Sequence, residues 1–137
     1  MSDKLVVEFY DSVDTNVPTA CVLAYYGGDN PSQAATTLTD FFTALSGIPD
    51  PRFDDAGLLA ARFVAWEGQR YSTENPFDFL AVTIIPPHQS HGCQVARIYA
   101  GRSSHPRIEF VRDQYTTTEE IEEAKVIIGA TLGKSIH

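Results

Sequence analysis

The sequence predicts an α+β fold: a single antiparallel sheet of about five strands with two helices, in the order ββαβββ(β)α. Three observations carry this reading. Short runs rich in Val and aromatic residues are separated by turn-forming residues. One segment places apolar residues at helical spacing between a capping residue and a proline-blocked end. A second such segment closes the sequence behind a group of glutamates. The 137 residues match the size of one domain, residues 1–137, and no repeat or low-complexity tract divides them.

Lys4–Tyr10 reads as a strand, and Asp11–Pro18 as a polar turn leading to a second strand over Thr19–Tyr26. The near-continuous apolar run Ala20–Tyr26 marks a strand covered on both faces, hence central. Gly27-Gly28 ends it. Asn30 then caps a helix with Pro31 at its first position, and Gln33 stands at the capping-box position. Ala34, Ala35, Leu38, Phe41, Phe42 and Leu45 form its apolar face, and Gly47, Pro49 and Pro51 terminate it.

Leu58–Trp66 is ambiguous, because Leu58, Ala60, Arg62, Val64 and Trp66 alternate as a strand would while the alanines tolerate helix. Strand is the preferred reading, running through a bulge at Gly68 toward Tyr71. Further strands follow at Phe77–Ile85, Cys93–Ala100 and Arg107–Arg112. Thr118 caps the final helix, whose Glu119, Glu120, Glu122 and Glu123 suit the positive end of the helix dipole. This element order is similar to that of profilin-like and longin-like domains, which serve mostly as binding modules. The resemblance rests on order alone, with no shared motif.

Eighteen acidic against ten basic residues leave a net charge of -8, which argues against a nucleic-acid partner. Arg97, Arg102, Arg107 and Arg112 come nearest to a basic cluster, and would form a local patch if they lie on adjacent strands. The opening MSDKLVVEFYD lacks the pattern of a secretory signal, and no apolar run reaches membrane-spanning length. Cys21 and Cys93 both fall within expected strands, where free buried thiols in a reducing compartment are the better reading than a disulfide. The protein is therefore expected in the cytoplasm.

The loop PPHQSHGC gathers His88, His91 and Cys93, residue types that suit zinc. A polar hairpin loop is favoured over a metal site, because neither a second ligand pair nor standard spacing is present. The turn Gly27–Ser32 resembles an anion cradle before a helix, but a tight turn plus cap explains every residue. Gly101–His105 reads as an ordinary polar turn, and Asp54–Asp55 as a pair able to cap whatever follows. No catalytic residue, metal or cofactor is expected.

What remains is the apolar surplus. Alternation places Tyr10, Trp66 and Tyr71 on a sheet face opposite the core, where an uncovered patch would mark an interface. Val126-Ile127-Ile128-Gly129-Ala130 makes the final helix apolar almost all round, leaving Val126, Ile127 and Ala130 for a partner or for a groove between the two helices. The expectation is a non-catalytic protein-interaction module, an adaptor, regulator or assembly subunit, binding a protein partner or a second copy of itself. The alternative is a small metal-dependent enzyme or ligand-binding domain built on His88, His91 and Cys93.

Overall fold

A computed structural model describes residues 4–25, 30–71, 82–87, 94–101, 106–111 and 118–132, with the backbone alone for 71 and 130–132. Its elements are β1 (Leu5–Tyr10), β2 (Ala20–Ala24), α1 (Pro31–Ser46), α2 (Ala56–Tyr71), β3 (Val82–Ile85), β4 (Gln94–Tyr99), β5 (Arg107–Val111) and α3 (Thr118–Leu132). The strands form one sheet in the order β3-β2-β1-β4-β5.

Two features of the expected fold are corrected. The sheet is mixed: β1 pairs with β4 in parallel, while the other three pairings are antiparallel. There are three helices among the described residues instead of two, because Ala56–Tyr71 is a helix and not the strand read over Leu58–Trp66. The order ββααβββα removes the basis of the likeness to profilin-like and longin-like domains. The central strand is β1, buried at every position, with β2 one place out.

The alternation of Leu58 to Trp66 misled because it does not follow burial. Ala56, Leu59, Ala60, Phe63, Glu67 and Gly68 are the buried positions, and their recurrence at three- and four-residue steps is helical. Asp55 starts the helix by accepting the Leu58 N–H at 3.0 Å through its side chain. Arg62, one of the residues in the strand-like alternation, donates from Nη1 to the carbonyls of Asp50 and Pro51. That clamp sits beside Arg52, whose φ of 54° is otherwise unfavourable for a residue with a side chain.

The remaining elements follow the sequence closely. Asn30 caps α1 by accepting the Ser32 N–H at 2.9 Å, with Pro31 in the first turn. Ala34, Ala35, Leu38, Phe41, Phe42 and Leu45 are all buried. Burial extends to Thr37 and Thr39, because α1 packs along α3 while Phe41 meets α2. α2 packs on β1, β2 and β3.

One sheet face supplies Leu5, Val7, Phe9, Val22, Ala24, Ala96 and Ile98 to the core beneath the helices. At its centre Phe63 lies 6.0 Å from Phe9 and 5.2 Å, edge-on, from Phe41, which in turn lies 5.4 Å from Trp66. Such ring pairs add about 0.5–1.5 kcal/mol each beyond the area they bury. No helix among the described residues is long and apolar enough to cross a membrane.

Phe63 is fully buried and links the sheet to two helices. Phe63→Ala is expected to lower unfolding free energy by about 3–5 kcal/mol, and Asp55→Ala by about 1 kcal/mol. Urea unfolding checks both. A strand at this position would leave Asp55→Ala without effect.

Candidate functional site

The sheet face turned away from the helices is not uniformly apolar. β1 reads LVVEFY, and the pleat sends Leu5, Val7 and Phe9 to the helix side and Val6, Glu8 and Tyr10 to the other. A carboxylate in the middle of a buried strand is costly unless its charge is met. Glu8 is 5% exposed, and the charge is met from β4. The parallel register sets Arg97 opposite Glu8, and β5 continues the row with Glu109 opposite Arg97.

The resulting network is explicit. Arg97 Nε–H donates to Glu8 Oε1 at 3.2 Å, and the Tyr10 hydroxyl donates to the same oxygen at 2.9 Å. Arg97 Nη1 stands 3.7 Å from Glu109 Oε1, and Arg107 Nη2 lies 3.3 Å from Glu109 Oε2. The rings of Tyr10 and Tyr99 stack with centroids 5.1 Å apart, and the Arg107 guanidinium lies 5.7 Å from the Tyr99 ring centre. Of the four arginines in the expected basic patch, Arg97 and Arg107 do share a face on adjacent strands. Both are matched by glutamates. Arg102 and Arg112 lie outside the described residues.

The β1–β2 connection folds beside this network. Ser12 and Thr15 are held by a Thr15 N–H···O=C Ser12 bond of 3.2 Å and by their hydroxyls at 3.0 Å. Thr19 Oγ1–H closes the base of the loop onto Asp11 at 3.0 Å. A pocket of about 300 Å³ opens between loop and sheet, lined by Tyr10, Val13, Thr15, Asn16, Arg97 and Tyr99.

These surroundings shift the titrating groups. Burial, then the hydrogen bond to Glu8 and its charge, holds the Tyr10 phenol well above its ordinary range. Burial, with the charge of Glu8 adding to it, pushes the Cys21 thiol from 9.0 to about 11. Burial works against the Arg97 cation, but Tyr10, Glu8 and Tyr99 outweigh it and stabilise the charged form. Cys21 is a free buried thiol opposite Glu8 on β2, so it behaves as a small apolar residue.

A second feature lies at the β3 edge, on the helix side. An apolar groove of about 320 Å³ runs between α2 and the sheet, bounded by Gly57, Ala60, Ala61 and Val64 on one side and Ala20, Val22 and Ile84 on the other. Ile84 is 75% exposed.

The described residues among those singled out in the sequence do not form one site. Tyr10 is buried within the polar network, not on an open patch, and Trp66 is half-buried against Phe41 with the Arg70 guanidinium 4.4 Å from its ring centre. Ile127 packs on the core, whereas Val126 is 69% exposed. Among the described residues, a Cβ at Gly129 would meet nothing within 4 Å. The side chains of Tyr71 and Ala130, and all of His88, His91 and Cys93, lie outside the described residues. Among the described residues no three His, Cys, Asp or Glu side chains gather as metal ligands.

Of the expected anion cradle, Gly27, Gly28 and Asp29 lie outside the described residues, and the first N–H groups of α1 are already taken. Ser32 N–H is taken by the Asn30 side chain, and those of Gln33 and Ala34 by the Asn30 carbonyl. Glu8, Arg97 and Glu109 were the residues that sequence reasoning passed over or left as scattered charges. The available signal was a carboxylate inside LVVEFY and a cation inside QVARIY.

Comparison with protein-family models, with curated proteins and with solved structures finds no match to this chain.

The thiol and phenol shifts set a pH dependence. Above pH 9.0 the unfolded chain ionises Cys21 while the folded chain keeps it neutral up to about 11, so stability falls across that interval. Tyr10 acts with the same sign at still higher pH. Urea midpoints should be insensitive to both groups below pH 9.0, decline above it, and decline less in Cys21→Ala. An unchanged decline in that variant rejects the assignment to Cys21.

Proposed function

We propose that the protein is a non-catalytic interaction module of the cytoplasm that takes an extended segment of a protein partner along β3. The observation that carries this reading is the exposed Ile84 on an uncharged edge strand beside the apolar groove. An edge strand presents unpaired N–H and C=O groups to a further strand, and proteins usually blunt such edges with charge. The other edge, β5, is guarded in that way by Arg107 and Glu109. β3 reads VTII and carries no charged residue of its own.

The geometry suits strand addition. Ile84 stands opposite Val22, which faces the core, so Ile84 projects on the helix side and forms one wall of the groove. A partner strand beside β3 would gain main-chain hydrogen bonds, and alternate apolar side chains would enter the groove. Small residues on α2 leave the room: a Cβ added at Gly57 would find its nearest neighbour, Asp55 Oδ1, at 3.6 Å. A free buried Cys21 accords with a reducing compartment.

A second copy of the chain meets the same requirements across a two-fold axis, with β3 paired to β3. Sedimentation at tens of micromolar distinguishes this from a foreign partner. Ile84→Lys is expected to change stability by no more than about 0.5 kcal/mol, since the side chain is exposed. It should abolish either self-association or capture of a partner from a native-host lysate. Association that persists unchanged in the folded variant rejects β3 as the contact.

A further inference from the structure

We infer that the pocket between the β1–β2 loop and the outer sheet face is a binding site for a small monocarboxylate, recognised by Arg97. This site is on the opposite face of the sheet from the β3 groove and does not depend on strand addition.

The argument starts from how Arg97 is used. A structural counter-charge for Glu8 needs one good donor, and Nε–H supplies it at 3.2 Å. Among the described residues that is the only hydrogen bond the guanidinium makes, since Glu109 at 3.7 Å is beyond hydrogen-bonding reach. Nη1 has Glu109 as an ion-pair neighbour without a hydrogen bond, so both Nη groups keep hydrogens to donate, on a side chain that is 37% exposed and lines the pocket. A guanidinium anchored through Nε presents its Nη edge as a fixed fork, which matches the two oxygens of a carboxylate. Glu8 and the Tyr10 hydroxyl hold that fork in place from beneath.

Charge and shape narrow the ligand. The two arginines and two glutamates of the network cancel, so a single negative charge is better matched than a phosphate dianion. The overall charge of -8 also disfavours polyanions. The surface that the pocket presents is almost wholly polar, with Asn16, Thr15 and Arg97 among its lining, which suits a small acid carrying little apolar bulk. A volume of about 300 Å³ lies at the small end of ligand pockets.

The test is titration of isotope-labelled protein with acetate, benzoate and pyruvate, followed by backbone amide shifts, with phosphate and chloride as parallel arms. Saturable shifts centred on Val13–Asn16, Arg97 and Tyr99 with a carboxylate, absent with chloride and weaker with phosphate, support the site. Arg97→Lys should weaken binding by about tenfold or more, since an ammonium cannot engage both oxygens in one plane. Val13→Trp fills the mouth from a loop position that is 56% exposed, leaves the Glu8–Arg97 pair intact, and should abolish the shifts. The Trp variant decides the matter should Arg97→Lys fail to fold. Equal or tighter phosphate binding at these residues, no saturable shift with any carboxylate, or unchanged binding in Val13→Trp each overturns the proposal.

Discussion

The register of β1 against β4 is the constraint on which the rest of the molecule depends. β1 is buried along its whole length and carries one charge, Glu8, which needs a partner on the same face. Parallel pairing in the observed register puts Arg97 there and, in the same step, sends Leu5, Val7, Phe9, Ala96 and Ile98 to the helix side. A slip by one residue would turn Arg97 into the aromatic core and expose the apolar set. The Glu8–Arg97 pair is therefore as much a device for choosing an alignment as a source of stability. Surface pairs such as Arg52–Asp50 carry no such information.

How much of this was legible depends on whether the signal was local. α1 was readable because Asn30, Pro31 and the Ala34–Leu45 spacing all act within one helix. α2 was misread because an alanine-rich segment supports either period, and the residues that decide the matter lie outside the apparent alternation: Asp55 at the start, and Phe63 with its partners on β1 and α1. The parallel β1–β4 pairing has no local signature at all. Glu8 and Arg97 were visible as intruders in apolar strands, but that they meet is a property of the sheet. Of the aromatics named for an interface, Tyr10 belongs to the polar network and Trp66 packs against the core, placements that only the folded sheet and α2 decide.

The two faces of the sheet are built for different chemistry. Beneath the helices, rings and methyl groups fill the space, and the groove beside Ile84 is a continuation of that apolar layer to the surface. On the other face, hydroxyls, guanidinium groups and carboxylates are arranged in rows across three strands. A partner strand on β3 and a small acid beside Arg97 would make contact with different elements, so occupation of one need not obstruct the other.

The central pairing also has a consequence in time. Glu8 and Arg97 are 89 positions apart in the sequence, although they are neighbours in the sheet. During synthesis β1 leaves the ribosome ahead of β4, one of its two flanking strands, which is made only after both α1 and α2 are complete. Until then β1 can form its hairpin with β2 but has a bare apolar edge. Long-range parallel closure is slow, and open edges of this kind are where nascent chains stick to one another. The lone carboxylate in LVVEFY is a charge on that edge during the wait, before it becomes half of the pair that ends it.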